Sequence, residues 1–214
     1  MKIIDLSHVL ENGMPYYPGT AAPVFDVPST IAVNGYKETG LSISTHHGTH
    51  IDCPAHFIEL GATTDSLPVE TFYGRGLVVD CTHYREYETI GLEAFEPFKD
   101  VLPKIDFVLL HTGWDKLWGT KDYFKHFPVI GADVAKYFVE QTNIKGIGTD
   151  VISIDRIDSF KFEVHKILLG HNKIIVENLT NLDQLLGKDF TFACFPLKIK
   201  AGDGSPVRAV GILD

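Results

Sequence analysis

Short apolar segments are spread along the whole chain and are separated by Gly, Pro, Asn and Asp. Some, such as Phe107–Leu110, are continuously apolar, which is typical of strands that are covered on both faces. Others alternate apolar and polar residues, as half-buried strands do. The pattern predicts strands at Lys2–Ser7, Thr39–Ser44, Gly76–Cys81, Phe107–His111, Lys145–Thr149, Asn172–Val176, Phe190–Ile199 and Pro206–Leu213.

Helical periodicity is rarer than strand periodicity. It is clearest at Ala132–Gln141, where Val134 and Phe138 form an apolar stripe. Pro97 interrupts one of the shorter candidates, and Thr180 or Asn181 can cap another; these candidates are Leu92–Phe98, Phe162–Leu169 and Asn181–Leu186. The interleaving predicts a mixed α/β fold with more strand than helix. With 214 residues, a single domain over residues 1–214 is expected.

Composition and charge narrow the function classes. The net charge of −9 argues against nucleic acid and against an anionic membrane surface as partners. The three cysteines lie far apart, so neither a disulfide framework nor a thiolate zinc site is expected. The N-terminal residues do not predict a secretory signal, and no apolar run is long enough to predict a membrane span. We therefore expect a cytoplasmic protein that acts on a small molecule.

Residues 46–56, His-His-Gly-Thr-His-Ile-Asp-Cys-Pro-Ala-His, hold four of the ten histidines and an aspartate. Imidazole and carboxylate together are the ligands of Zn²⁺, Mn²⁺ or Fe²⁺. Single histidines usually have packing or capping roles, but such roles do not explain four within one short segment. The segment therefore predicts a metal site.

The backbone of this segment is expected to be extended, because Gly48, Thr49 and Pro54 disfavour a helix. In an extended chain the even positions share one face and present the possible ligands, which are His46, His50, Asp52 and His56. Gly48 would let the chain bend and keep His46 and His50 near one centre. His47 points to the other side and is left out of the ligand set.

Other polar residues carry weaker signals when they are considered alone. A histidine in an amphipathic stretch, such as His165, is usually structural. Glu177 ends the apolar run 174–176, where a carboxylate often marks a site, although it could instead be a first-turn acid for a helix near Asn181. Asp150 and Asp155 fit turns as well as a site.

Taken together, these motifs resemble those of the metal-dependent cyclase/hydrolase family, which includes bacterial kynurenine formamidase and isatin hydrolase. The histidine segment is similar to the family's H-x-G-T-H-x-D-x-P-x-H. The resemblance covers nearly the whole chain, because further motifs follow in the family's order: Tyr17-Pro18-Gly19, Thr112-Gly113-Trp114 with Trp118-Gly119, Gly148-Thr149-Asp150 with Ser153-Ile154-Asp155, His165 through Leu169, Glu177-Asn178-Leu179, Pro196-Leu197-Lys198 and Gly204 through Ala209.

The resemblance implies a compact strand-rich unit of the swivelling β/β/α type and homodimers or larger assemblies. It implies that one metal is bound by His46, His50 and Asp52. It also implies that a second can be held by His165 and Glu177, with Asp52 bridging. His56 would carry a proton beside the metal, and Glu177 could share that task if only one ion is bound.

Two positions depart from the formamidase pattern. The W-P-G-D of many kynurenine formamidases reads Tyr17-Pro18-Gly19-Thr20 here, so the acid is absent, and His111 stands where the family commonly has arginine. Both lie outside the metal motif, so they leave its chemistry intact and bear on the identity of the substrate. Among the aromatic residues near the motifs, core packing is the expected role for most; these are Tyr16, Tyr17, Phe25, Phe57 and Trp114.

The leading hypothesis is a metal-dependent hydrolase that cleaves a C–N amide bond of a small aryl formamide, lactam or cyclic amide. A divalent ion with an open position lowers the pKa of its water toward about 7 and polarises a carbonyl, and an amide needs both effects. A cyclase or dehydratase on the same site, and a non-catalytic metal-binding or small-molecule-binding protein, are the alternatives. The ligand set suits Zn²⁺ and Mn²⁺ equally, with one or two ions per subunit.

Overall fold

A nine-stranded mixed sheet forms the centre of the protein, and its strands come from all parts of the chain. The computed structural model describes residues 1–213, apart from the side chain of Gln141. The strands are β1 Lys2–Asp5, β2 Val24–Ser29, β3 Glu38–Ser42, β4 His50–Asp52, β5 Tyr73–Asp80, β6 Thr89–Ile90, β7 Phe107–His111, β8 Val129–Ile130, β9 Gly146–Thr149, β10 Ile174–Glu177, β11 Phe190–Ala193, β12 Gly204–Pro206 and β13 Val210–Leu213. The α-helices are α1 Ile31–Asn34, α2 Ala132–Gln141 and α3 Glu163–Gly170.

The strand order in the large sheet is β1-β13-β11-β5-β7-β9-β10-β4-β12. The central strands β5, β7, β9 and β10 run parallel, and the flanking strands pair antiparallel. Since parallel strands end at the same edge, the carboxyl ends of β7, β9 and β10 lie side by side. That edge is where polar residues such as Glu177 follow the buried strands.

The two faces of the sheet are covered by different apolar clusters. On one face, α2 and α3 pack through Val134, Phe138 and Leu168, each of which is fully buried. The opposite face is covered by a second cluster that includes Ile51, Phe107 and Phe192. A sheet covered on both faces needs apolar residues at every strand position, which explains the continuous runs in the sequence.

The fold-class prediction of a mixed α/β, strand-rich unit is confirmed. The strand at Phe107–His111 and the helix at Ala132–Gln141 have the predicted bounds. The expected strand at Phe190–Ile199 stops at Ala193, before Pro196, which has no N–H to donate. The one expected over Pro206–Leu213 is divided into β12 and β13.

Two of the helix predictions are wrong. Residues 92–98 form two 3₁₀ turns, because Pro97 cannot continue a helical hydrogen-bond pattern. Residues 182–185 form a single 3₁₀ turn. Asn181 precedes that turn in the left-handed conformation, and its side-chain amide donates to the carbonyl of Asp5 instead of capping a helix. Among the residues that the structure describes, no helix is long and apolar enough to cross a membrane.

A separate two-stranded sheet of β2 and β3 forms an arm, residues 24–42, together with α1. The sequence predicted β3 but missed β2, whose residues are mostly polar or exposed. The arm exposes large apolar side chains, with Val33 at 83% and Ile31 at 70% of full exposure. An isolated hairpin is marginally stable in water, so contact with another protein surface would stabilise this arm.

The central strands predict where the stability of the fold resides. Phe107 is fully buried on β7 and lies edge-on to Phe192, with ring centroids 5.1 Å apart. Phe107→Ala should lower the free energy of unfolding by about 3–5 kcal/mol, because it removes transfer energy and leaves a cavity. Phe160→Ala is the matched control, since Phe160 is 90% exposed. Urea denaturation should place the control within about 0.5 kcal/mol of the parent; equal losses would contradict the packing described.

Candidate metal centre

Antiparallel pairing of β4 with β10 brings three of the candidate ligands together, namely His50, Asp52 and Glu177. Glu177 pairs with His50, and Ile175 pairs with Asp52. Directly opposed residues share a sheet face, as do alternate residues along one strand. His50, Asp52 and Glu177 therefore project to the same side, and His50 Nε2 lies 3.3 Å from Asp52 Oδ1 and 3.5 Å from Glu177 Oε2.

Helix α3 supplies the fourth group from above this face. Val164, His165, Leu168 and Leu169 form its buried stripe, so His165 sits where the helix faces the sheet. Its Nε2 lies 3.4 Å from Asp52 Oδ2 and 3.3 Å from Glu177 Oε1. By its residue pattern alone His165 is a structural histidine; the packing of α3 brings it to the carboxylates.

His46 and His56 form a second set of candidate ligands that shares Asp52. His46 Nδ1 is 2.7 Å from Asp52 Oδ1. The rings of His46 and His56 stack, with centroids 3.9 Å apart. The six residues singled out from the sequence, namely His46, His50, Asp52, His56, His165 and Glu177, thus lie in one connected group, with Asp52 between its two halves.

The expected continuous extended backbone over this segment is wrong, although its ligands do converge. Only His50–Asp52 forms a strand, His46 lies in a turn, and Pro54–His56 is a 3₁₀ turn. Gly48 adopts φ +65°, and a Cβ there would lie 2.3 Å from Leu10 Cδ2. Glycine adopts this conformation without strain, and the His46 and His50 ring centroids lie 5.2 Å apart across the turn.

The geometry of the His50 side of this group fits a divalent cation. Among the described residues, Asp52 Oδ2 is buried without a hydrogen-bond partner, a state that costs about 1–3 kcal/mol or more for a charged group. The separations of 3.3–3.5 Å between imidazole nitrogens and carboxylate oxygens exceed a charge-assisted hydrogen bond. They are close to the spacing of about 3.4 Å expected between neighbouring ligand atoms that each stand about 2.1 Å from a shared divalent ion.

Second contacts fix the orientation of two of these imidazoles. His50 Nδ1 donates to the carbonyl of Gly48 at 2.8 Å, and His165 Nδ1 donates to Asp155 Oδ2 at 2.7 Å. Each bond places the proton on Nδ1 and leaves Nε2 to face the carboxylates, which is the arrangement usual for metal-binding histidines. The sequence left Asp155 open between a turn and a site; here it holds His165.

Asp203 belongs to the site and was missed from the sequence. Its Oδ2 lies 2.9 Å from His46 Nε2 and 3.4 Å from His56 Nδ1, and Thr45 Oγ1 donates to Oδ1 at 3.0 Å. Asp203 is in a loop and is partly exposed, so no periodicity marks it. The one available signal was its position directly before the Gly204-Ser205-Pro206 motif.

The buried carboxylates stay ionised because imidazoles surround them. Burial by itself would raise the pKa of Asp52, but the adjacent imidazoles of His165 and His46 hold that pKa well below its usual value. The same balance lowers the pKa of Glu177, where His165 and His50 outweigh burial and the charge of Asp52. Burial lowers the pKa of His56, which favours its neutral form. The group is thus a pair of anions in a low-dielectric setting that attracts positive charge.

A cavity of about 220 Å³ opens onto this group. His47, which the sequence placed on the opposite side, also reaches the cavity wall. Of the aromatic residues considered from the sequence, Tyr17 and Phe57 line the cavity, whereas Tyr16, Phe25 and Trp114 do not. The remaining lining residues are Thr20, Ser44, His46, His50, His56, Ile152, Ser153, Phe162, His165 and Glu177.

A second cluster of His111, Asp115 and Asp150 lies near the ends of β7 and β9. Its central carboxylate is already engaged. Asp150 Oδ1 accepts from Thr112 Oγ1 at 2.5 Å, and Oδ2 accepts from the backbone N–H of Gly113 at 2.7 Å. Asp150 therefore holds the turn after β7, which is the structural role that the sequence left open.

The fold and the site define a class: a strand-rich α/β protein with a buried histidine–carboxylate group at the end of parallel strands, open to a small cavity. A sequence model described as putative cyclase matches residues 4–156. The chain belongs to this cyclase family, as its motifs predicted.

Relatives cover nearly the full length of the chain. A kynurenine formamidase from Bacillus cereus is 32% identical over 208 residues, which are 97% of this chain and 95% of that protein. An uncharacterized protein from Methanocaldococcus jannaschii is 33% identical over 218 residues, with both chains fully covered.

Solved structures of related proteins also match this fold over nearly the whole chain. Isatin hydrolase A from Labrenzia aggregata, bound to benzyl benzoate, superposes with a TM-score of 0.89 at 29% identity, covering 99% of this chain and 93% of that one. A structure described as a predicted metal-dependent hydrolase from Bacillus stearothermophilus gives a TM-score of 0.76 at 28% identity, with 98% and 97% covered. These relatives support the predicted metal-dependent amidohydrolase, with a divalent metal, over a cyclase or dehydratase.

The Asp155–His165 contact generates a prediction about metal affinity. Asp155→Ala should weaken binding of Zn²⁺ by about 10- to 100-fold, because His165 loses the partner that orients it. Asp155→Asn keeps an oxygen that accepts from Nδ1 and should recover part of the affinity. Calorimetric titration of metal-free protein measures both. Unchanged affinity in Asp155→Ala would show that His165 needs no such support.

Proposed function

We propose that the protein is a metal-dependent amidohydrolase that cleaves the C–N bond of a small aryl formamide, lactam or cyclic amide. The observation that carries this proposal is the buried carboxylate of Asp52. Its Oδ2 has no hydrogen-bond partner among the described residues and lies 3.4 Å from His165 Nε2, its Oδ1 lies 3.3 Å from His50 Nε2, and Glu177 is grouped with it. The names of the relatives, kynurenine formamidase and isatin hydrolase, supply the bond type.

We assign one ion to His46, His50 and Asp52 and a second to Asp52, His165 and Glu177, with Asp52 shared by both positions. Either Zn²⁺ or Mn²⁺ suits these nitrogen and oxygen donors, with one or two ions per subunit. When bound there, a divalent ion supplies a Lewis acid for the carbonyl and acidifies a water molecule.

His56 is the proposed proton carrier. It lines the cavity, and its Nδ1 faces Asp203 Oδ2 at 3.4 Å, which leaves Nε2 to take a proton from water and deliver it to the leaving nitrogen. Burial keeps the ring neutral and therefore able to accept that proton. Glu177 shares the task when a single ion is bound.

We further infer a homodimer or a higher homo-oligomer in the cytoplasm. The arm at 24–42 supports self-association, because Ile31, Val33 and Leu41 expose 70%, 83% and 59% of their surfaces. An isolated two-stranded hairpin with such an exposed apolar surface is only marginally stable in water. A second copy of the chain would cover this apolar surface. No nucleic acid or membrane is needed as a partner.

Two substitutions separate metal binding from proton transfer. His56→Ala should keep the metal and lose about 10²–10⁴-fold in kcat, the usual contribution of a positioned acid–base group. Asp52→Ala should lose the metal itself, because it removes the carboxylate shared by both halves of the group. Plasma-emission metal analysis and the thermal shift on adding Zn²⁺ report binding independently of activity. A fully metallated, active Asp52→Ala protein would defeat the assignment.

Product analysis in ¹⁸O-labelled water tests the reaction type. Hydrolysis of a lactam or formamide should place one label in the carboxylate product, because the oxygen of water adds to the carbonyl carbon. Mass spectrometry of the product measures the label, and a chelator-treated sample gives the background. An unlabelled, ring-closed or dehydrated product would favour the cyclase or dehydratase instead.

A further inference from the structure

The name metal group is given to the connected set His46, His50, Asp52, His56, His165 and Glu177. Apart from this group, the cavity wall carries no charge. Within the described part of the chain, no lysine or arginine lines this cavity, and its only acid is Glu177 of the metal group. Besides His47, the rest of the wall consists of four hydroxyl-bearing side chains and three apolar ones; these residues are Tyr17, Thr20, Ser44 and Ser153, and Phe57, Ile152 and Phe162.

His47 does not supply the missing positive charge. Its Nδ1 accepts a hydrogen bond from the backbone N–H of Ser44 at 3.0 Å, so the proton is on Nε2, which donates to the carbonyl of Ala21 at 3.0 Å. Both nitrogens are thus committed to the backbone in the neutral ring. His47 ties the loop that carries Tyr17 and Thr20 to the histidine turn and closes one side of the cavity.

Aromatic rings form another part of the cavity wall. Phe57 and Phe162 lie with ring centroids 5.1 Å apart, and Phe57 also approaches His165 at 4.8 Å. Phe162 is held in the left-handed conformation, φ 48°, at the start of α3. That conformation is costly for a bulky residue and is found where a side chain must be aimed, here toward the cavity. Such a wall suits a flat ring.

An ionised tail on the substrate would therefore enter without a counter-charge. Burying an unpaired carboxylate or ammonium is strongly unfavourable, whereas a planar amide ring needs only hydroxyl contacts and apolar surface. Thr20 brings a neutral hydroxyl to this wall, and apart from Glu177 no carboxylate of the described chain lines the cavity, so an ammonium group would find no anion there either. One bound ion has its charge balanced by Asp52 and Glu177.

We propose that the substrate is a neutral, planar aryl lactam, cyclic imide or aryl formamide without an ionised side chain, and that the enzyme discriminates against amino-acid-bearing formamides. This inference rests on the proposed function. In the reaction the oxygen of water bonds to the carbonyl carbon and the C–N bond breaks. One proton of water goes to the leaving nitrogen, and the other is released as the new carboxylic acid ionises.

A matched pair of substrates tests the proposal on the metal-reconstituted full-length protein. N-formylkynurenine and 2′-formamidoacetophenone share the aryl ketone and the formamide, but only the first carries the amino-acid tail. We expect kcat/KM to be at least about tenfold higher for the tail-less compound, because the tail finds no partner. Isatin and phthalimide extend the test to neutral rings.

Thr20 provides a matched pair of variants. Thr20→Asp adds an anion to the wall. Thr20→Asn adds a side chain of the same shape as aspartate but without the charge. Thr20→Asp should narrow the difference between the two formamides by roughly two- to fivefold, as expected for a partly exposed ion pair with the ammonium group. Thr20→Asn should leave the ratio of the two kcat/KM values near that of the parent.

The outcomes are distinguishable. If none of these amides is hydrolysed by the metal-loaded protein, the proposed function itself fails. If N-formylkynurenine is hydrolysed as well as its tail-less analogue or better, the function stands and the inference of a neutral substrate is overturned. If Thr20→Asp and Thr20→Asn give the same ratio, the tail does not pass this wall, and the argument from Thr20 is wrong.

Discussion

Two carboxylates, those of Asp52 and Glu177, lie buried on one face of the sheet, with only 1% and 5% of their surfaces exposed. Unpaired, such charges would be very costly, so the surrounding structure must bring positive charge or donors to them. The imidazoles of His46, His50 and His165 do this from two backbone segments, residues 46–56 and α3, and a divalent cation would do so more completely. The fold around the site answers this electrostatic demand.

The same demand explains the layout of the central sheet. Pairing of β10 with β4 brings Glu177 opposite His50, and α3 then covers that face with His165 in its apolar stripe. The apolar residues of α3, such as Leu168 and Leu169, anchor the helix in the core, so the position of His165 is fixed by packing. A site held this way is preorganised, because moving one ligand requires moving an element of the core.

The cavity has a charged part and a neutral part, and these differ in the role that we propose for them. Charge is concentrated on the floor, where the metal group lies, and the walls are neutral, aromatic or hydroxyl-bearing. His47 shows how this is achieved, since both of its nitrogens are bonded to backbone groups and none is left for a ligand. The floor provides reactivity and the walls provide selection, so related chains can share the chemistry and differ in substrate.

Local sequence determined the strand-rich α/β character, the strand at Phe107–His111 and the helix at Ala132–Gln141, because periodicity reports directly which face of an element is buried. It also predicted a metal site at residues 46–56, since the candidate ligands are concentrated in one short segment. Only the tertiary structure decided the rest. Asp203 reaches His46 across 157 residues, and Asp155 reaches His165 from a loop before α3. Such contacts depend on how distant segments pack against one another, which no local pattern of apolar and polar residues encodes.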